Sequence, residues 1–232
     1  MGGCYAALYL HQRGFEVNVY ERSPVPLDGR GAGITTHPEL FQSLVDVGCP
    51  TDNLGIPFEW RLTFDRNGQV IARMREPQVA TSWFFLFKLI EQLLPKGIYH
   101  LGKDLVRLEQ DASGVTAHFA DGSSASGDVL VGADGFRSVV RGALLPGEDF
   151  VYSGYVGWRG LADEARFSPE VREEVVNTFS FFLPPGEQII GYPAVGQSHD
   201  LRPGQRAWNI VWYRPCDHDT ELKRLLTDET GH

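Results

Sequence analysis

Hydrophobic positions along the chain change period several times, and each change marks an element. Residues 3–13 carry Ala6, Ala7, Leu8 and Leu10 on a helical run, and Gly14 is a natural stop. Phe15, Val17 and Val19 then alternate as a strand that closes on Glu21. The stretch "SPVPLDGRGAGITTHPEL" has no apolar period and is rich in Gly and Pro, which predicts a long loop. A helix over about 38–47 follows, with Thr36 and Glu39 at capping-box spacing, Pro38 in its first turn and Gly48 at its end. Residues 59–74 predict a hairpin about Asn67-Gly68. Thr81 or Ser82 then caps a helix, "WFFLFKLIEQLLPKG", apolar on most faces and so buried.

The next part reads as a meander. "LVRLEQ" turns at Asp111–Gly114 into "VTAHFA", which turns at Asp121-Gly122 into a third run. "DVLVGADGFRSVVRGALL" predicts a short buried strand at Val129–Val131, a glycine turn, and a helix from Ser138. After about residue 150 the pattern is mostly strand, with a hairpin at Pro184-Pro185-Gly186 and large side chains on both faces of "RAWNIVWYRP". The fold class is therefore α/β (α+β). A first domain covers 1–150 and a β-rich antiparallel domain 151–232, and the hairpin about 55–78 is expected to pack with the second.

Composition narrows the function classes. The 232 residues are 42% hydrophobic, which is enough for a core of one large domain or two small ones. A net charge of -9 without a basic run argues against nucleic acid and anionic membranes, both of which need clustered Lys and Arg. Cys4, Cys49 and Cys216 are odd in number and far apart, with no CxxC or Cys/His cluster. No metal site or disulfide framework is expected, and a reducing, cytoplasmic setting is. No stretch is long and apolar enough to span a bilayer.

Two segments carry candidate chemistry. Glu21 lies 18 positions after Gly3, with a helix, Gly14 and a strand between. A dinucleotide unit needs a glycine for close helix–strand packing and, about 20 residues on, an acid to accept ribose hydroxyls. An ordinary helix–strand unit with a surface Glu would show the same residues. At Gly132, Asp134 and Gly135 a glycine turn runs into a helix, where backbone amides suit a pyrophosphate and Arg137 or Arg141 could pair with it. A structural turn with exposed arginines is the plain alternative.

"GADGFRSVVR" resembles the second fingerprint of the class A flavoprotein monooxygenases, the single-component FAD-dependent aromatic hydroxylases. It matches at Gly132, Ala133, Asp134, Gly135, Ser138, Val140 and Arg141. The opening residues are similar to the same family at Gly3, Ala6, Ala7, Leu8, Gly14, Val17, Val19, Glu21 and Arg22, as are "GAGITTHPEL", "TSWFFLFKLIEQLLP" and "YSGYVGWRGL". "VYERSPVPLDGRGAGI" and "YSGYVGWRG" look most like the 2,6-dihydroxypyridine 3-monooxygenase branch.

The resemblance implies a PHBH-like fold, with a Rossmann-type FAD/NAD(P)-binding domain and a β-rich substrate domain. It implies FAD as cofactor, NAD(P)H as co-substrate, and O2 inserted through a flavin C4a-hydroperoxide into an aromatic or heteroaromatic ring, phenol- or hydroxypyridine-like. A homodimer stays open. By motif position Gly3 and Glu21 would serve the ADP half of FAD, and Arg22 would be a further cofactor-binding residue. Arg30, Gly31 and Gly33 would line the cofactor loop, and Leu105 and Val106 would pass near the adenine. Gly132, Asp134, Gly135 and Arg141 would face the cofactor. No catalytic residue is assigned, because the flavin carries the oxygen chemistry. Family members often place an Arg where this chain reads Ser82-Trp83. The family's first strand with two further glycines, and its later Gly-Asp fingerprint, are not in this sequence, so weak FAD binding is expected of these residues alone. Another flavin oxidoreductase and a non-catalytic nucleotide-binding module remain as alternative readings.

Smaller candidates have plainer readings. His37 reads as a cap residue more readily than a flavin contact. Tyr155, Trp158 and Arg159, like Trp208, Trp212 and Tyr213, read as strand packing more readily than as a substrate wall. His218 and His232 read as solvated, and Cys4 as a small apolar residue.

Overall fold

The computed structural model describes residues 1–27, 33–148, 150–195 and 200–231. Arg30 and Gly31, both expected along the cofactor loop, lie outside the described residues, as does His232. The elements run α1 (Gly2–His11), β1 (Val19–Tyr20), β2 (Gly33–Thr35), α2 (Pro38–Asp46), β3 (Ile56–Phe64), β4 (Val70–Ser82), α3 (Trp83–Leu93), β5 (Tyr99–His100), β6 (Leu105–Asp111), β7 (Gly114–Phe119), β8 (Ser124–Gly127) and α4 (Val139–Leu144). Four longer strands follow, β9 (Tyr155–Asp163), β10 (Phe179–Phe182), β11 (Gln188–Ala194) and β12 (Ala207–Pro215). The chain divides into two compact units. One holds Met1–Arg30, Gln42–Pro50 and Phe87–Val151; the other holds Gly31–Phe41, Thr51–Leu86 and Tyr152–His232.

In the first unit α1 ends before Gly14, whose φ of +87° lies in the left-handed region that glycine enters without strain. β1 pairs in parallel with β5, Val19 opposite Tyr99 and Tyr20 opposite His100. This strand is shorter than the alternation from Phe15 suggests. Its partner offers only two residues, and Phe15 is left exposed. β6, β7 and β8 form the expected antiparallel meander, and α4 packs on β6. Tyr20 stacks on His100 with centroids 5.1 Å apart and tilts against Phe119 at 4.9 Å.

Val129–Val131 do not form the buried strand expected of them. They are irregular, and Val129 is 77% exposed. A buried parallel strand needs neighbours along its edges to satisfy its amides and carbonyls. No strand among the described residues pairs with this run.

The second unit is built on a seven-stranded sheet in the order β2-β4-β3-β10-β11-β12-β9. The β3–β4 hairpin enters it through a parallel pairing of β3 with β10, Arg61 opposite Phe179. Asp65 closes the hairpin turn by accepting the amides of Asn67 and Gln69, each at 2.8 Å, and Gly68 takes φ +79°. Phe58, Ala80, Phe179 and Tyr192 form a buried cluster, with Phe181 and Ile190 packed against it. On β12 the alternation buries Ala207, Asn209 and Val211, while Ile210 and Trp212 stay partly exposed. Tyr155 and Trp158 lie on the edge strand β9 and are 46% and 43% exposed, so they are not the core residues their strand position suggested.

One helix cap follows expectation and one departs from it. Ser82, one of two candidates, caps α3 by accepting the Phe85 amide at 3.1 Å, and Thr81 is fully buried. At α2 the capping box is not used. Thr36 Oγ1 instead accepts the Val79 amide at 3.0 Å as part of the β2–β4 edge, and His37 Nδ1 faces the Leu40 amide at 3.3 Å and the Glu39 carboxylate at 2.9 Å. Sheet pairing claimed the threonine, and the next residue became the cap.

Candidate functional site

The first unit gathers most of the motif residues. Met1 precedes α1 and no side chain caps that helix; its first turn holds no acid. Free first-turn amides at a helix start carry partial positive charge and suit a phosphate oxygen. Glycines at positions 2 and 3 leave that end without side-chain bulk, and a Cβ on Gly3 would meet only Ala133 Cβ, at 3.4 Å. Gly3 therefore lies against the second fingerprint, far away in sequence and adjacent in space.

Glu21 follows β1, its amide bonded to His100 O at 2.9 Å and its carbonyl accepting the Lys103 amide at 2.9 Å. One carboxylate oxygen, Oε1, accepts the Ser23 amide at 2.9 Å. Oε2 has no hydrogen-bond partner among the described residues, which leaves an acceptor for a hydroxyl. Burial pushes the Cys4 thiol above its ordinary value, and the charges of Glu91 and Glu21 add to that rise.

Leu105 and Val106 lie just past Lys103, whose amide bonds the Glu21 carbonyl. The β6–β7 register slips between Leu105 and Arg107, so Val106 is an extra residue on its strand and 55% exposed. Such a bulge re-aims a side chain away from the ladder. Arg22 is exposed beside Glu21.

At the second fingerprint the turn does something that sequence did not reveal. Asp134 Oδ2 accepts the amides of Val139 (2.7 Å) and Val140 (3.3 Å), while Oδ1 accepts the Ser138 hydroxyl at 2.6 Å. Ser138 Oγ in turn accepts the Arg141 amide at 2.9 Å. Much of the anion-binding capacity of this helix start is thus spent on the chain's own carboxylate. Partial burial alone would raise the Asp134 pKa, but the bonds from Ser138 and the helix amides outweigh it and hold the group below its ordinary value. Arg141 donates to Phe136 O at 2.6 Å. Gly132 has no room for a side chain, since a Cβ there would lie 2.8 Å from Val140 Cγ1, and Gly135 takes φ +80°.

Gly33 belongs to the second unit. It starts β2 opposite Ser82, and its carbonyl accepts the Tyr192 hydroxyl at 3.0 Å. Tyr192, Gln78 and Arg61 gained importance only from tertiary structure; no motif or period marked them. A shallow cleft of about 440 Å³ between the β6–β7 turn and α4 is lined by Leu108, Val129, Leu130, Val140 and Leu144 among others. Of the second-fingerprint residues, Val140 lines it.

The chemistry of these groups fits the adenosine-diphosphate half of FAD: one unit holds an uncapped, glycine-led helix start, a carboxylate with a spare acceptor and a rigid glycine turn. They are the residues that would hold it.

A family described as "FAD binding domain-like" matches residues 152–232. The fold superposes on the solved 2,6-dihydroxypyridine-3-hydroxylase of Arthrobacter nicotinovorans with a TM-score of 0.88 at 33% identity, over 99% of this chain and 57% of that one. The chain is similar to FAD-dependent aromatic hydroxylases and shares the PHBH-like fold of the solved ones. In sequence it is similar to 2,6-dihydroxypyridine 3-monooxygenase of Paenarthrobacter nicotinovorans, at 35% identity over 100% of this chain. It is also similar to Klebsiella pneumoniae HpxO, solved with FAD and uric acid, with a TM-score of 0.74 at 26% identity over 97% of this chain and 57% of that one. The chain spans 57% of the length of the Paenarthrobacter relative. No helix among the described residues is long and apolar enough to cross a membrane.

Proposed function

We propose that the protein acts as an FAD-dependent monooxygenase that hydroxylates an electron-rich aromatic or heteroaromatic ring of the hydroxypyridine or phenol class, with NAD(P)H and O2 as co-substrates. The observation that carries this reading is the meeting of Gly3 with Ala133 of the second glycine fingerprint, in the unit that also holds Glu21. Bound FAD would supply the oxygen chemistry. In this reading the chain's own groups have narrower tasks. The α1 amides take the pyrophosphate, and Glu21 Oε2 takes an adenosine ribose hydroxyl. The bulged Val106 offers an apolar surface to the adenine. Asp134 stays ionised and keeps the glycine turn rigid where the nucleotides approach. The names of the relatives, a hydroxypyridine and a urate hydroxylase among them, support the ring class. Three free, buried cysteines favour a reducing, cytoplasmic setting. A homodimer is the proposed assembly, by family likeness alone.

The test is NAD(P)H oxidation by the natural protein, with added FAD and a panel of hydroxypyridines and phenols, under isotopically labelled O2. Ring-dependent oxidation with one labelled oxygen in the product supports the reading. Oxidation without a ring or without oxygen transfer points to a plain flavin reductase, and flavin uptake without any turnover points to a non-catalytic nucleotide-binding module. Either result overturns the proposal.

A further inference from the structure

β2 is held at both ends by one connected set of side chains. At its start, Tyr192 donates its hydroxyl to Gly33 O at 3.0 Å, and its ring occupies the space a Gly33 side chain would need: a Cβ there would lie 2.8 Å from Tyr192 Cε2. Just past its end, Gln78 Nε2 donates to Thr36 O at 2.8 Å, and Thr36 Oγ1 accepts the Val79 amide. The two ends are joined through the sheet. Tyr192 stacks on Phe179 with centroids 5.1 Å apart and planes at 6°. The Arg61 guanidinium lies 5.4 Å from the Phe179 ring centre and donates to Gln78 Oε1 at 2.8 Å. The circuit runs Gly33, Tyr192, Phe179, Arg61, Gln78, Thr36. Its centre is the buried cluster of Phe58, Ala80, Phe179 and Tyr192. Burial raises the Tyr192 hydroxyl pKa further, so it remains a proton donor across the physiological range.

A short edge strand with three residues of pairing would otherwise be free to fray. Here a tyrosine from β11, remote in sequence, fixes its first residue from outside the ladder. Glycine at 33 is explained by this approach. It is required because an aromatic ring lies against its Cα.

We propose that Tyr192 is a positioning residue for the flavin cofactor: by holding Gly33 it fixes the backbone where the cofactor-lining segment enters the sheet. This rests on the functional reading above and on the family resemblance, which implies that Gly33 lines the cofactor loop. The residue acts through Gly33 and needs no contact with flavin or substrate of its own.

The experiment uses the whole chain and two variants. Tyr192→Phe keeps the stacked ring and removes only the hydroxyl. Gly33→Ala keeps the hydroxyl and pushes the ring away. Two readouts are taken: amide hydrogen exchange of Ile34–Thr36 without FAD, and FAD titration followed by the visible spectrum of the bound flavin. Both variants are expected to speed exchange at Ile34–Thr36 about tenfold, the loss of one net hydrogen bond, and to weaken FAD by a similar factor with a shifted flavin spectrum. Unchanged exchange in Tyr192→Phe overturns the clamp. Faster exchange with unchanged FAD affinity and spectrum overturns the positioning role and leaves a purely structural one. If the unaltered chain takes up no flavin, the cofactor reading fails, and the flavin part of the inference with it; exchange alone then decides the clamp.

Discussion

Glu164 and Arg206 form a two-pronged ion pair inside the second unit. Arg206 Nε meets Glu164 Oε2 and Nη2 meets Oε1, both at 2.7 Å, with the two side chains 3% and 7% exposed. The Gly204 amide adds a third bond to Oε2 at 2.8 Å, and Arg206 reaches on to Asn177 Oδ1 at 2.8 Å. The pair ties the ends of β9 and β12 to the segment before β10. Removing one partner leaves a buried charge alone, which costs far more than the pair itself contributes.

Glu164→Ala is therefore expected to destabilise the protein by about 3–5 kcal/mol, and Glu164→Gln by less, since an amide still bonds the guanidinium. Urea unfolding measures both. The same pair sets an acid limit. The Arg206 guanidinium, bonded to Glu164, holds its carboxyl below the ordinary value despite burial. The native group thus binds its proton more weakly than the unfolded one. Its contribution is complete above the ordinary carboxylate range of about 4.3 and is lost as pH falls through the depressed native value. Glu164→Gln should flatten this acid-side loss in a pH series of unfolding midpoints.

One substitution made at two glycines should have opposite results. Gly132→Ala would set a methyl 2.8 Å from Val140 Cγ1 and 2.9 Å from Val140 Cβ, a buried β-branched residue that cannot turn aside. About 1–3 kcal/mol of destabilisation is expected. Gly3→Ala meets Ala133 Cβ at an ordinary 3.4 Å and replaces glycine within a helix, so a gain of about 0.5–1 kcal/mol is expected. Thermal unfolding of the two variants shows the difference in sign.

Asp134 and Ser138 should be separable as caps. Ser138→Ala removes the acceptor of the Arg141 amide and should cost about 1 kcal/mol. Asp134→Asn keeps one acceptor and loses the charge beside the helix start. Its native pKa is held down, so the stabilisation it gives is present above the ordinary carboxylate range and disappears as pH falls through the lower native value. Near neutral pH Asp134→Asn should be the less stable protein, and in strong acid the two should converge, as unfolding midpoints at several pH values will show.

Gly191→Ala should be among the most damaging small substitutions in the sheet. A Cβ there would run into the indole ring of Trp208, reaching across from β12. The ring must leave its edge-on contact with Phe167, now 5.7 Å between centroids. The loss should appear as reduced soluble yield and an early thermal transition, and Gly191→Ala combined with Trp208→Leu should recover part of it.

Much of the architecture is legible along the chain. The helix at Pro38–Asp46, the Asn67-Gly68 hairpin and the β6–β8 meander all stand where periodicity and turn residues put them, because each is stabilised by contacts between residues near in sequence. The caps were less legible. Thr36 has the residue type and spacing of a cap, but a strand 43 residues away offered its side chain a better partner.

Sequence by itself determined most local elements, the glycine fingerprint and, through it, the family resemblance. Glycines, acids and turn residues act over a few positions, so their spacing survives as pattern. Tertiary structure alone decided that Asp134 caps its own helix, that Val129–Val131 pair with no strand among the described residues, and that Tyr192 holds Gly33 across 159 positions of chain. Those outcomes depend on which remote groups come within hydrogen-bonding or van der Waals reach. No spacing along the chain records that distance.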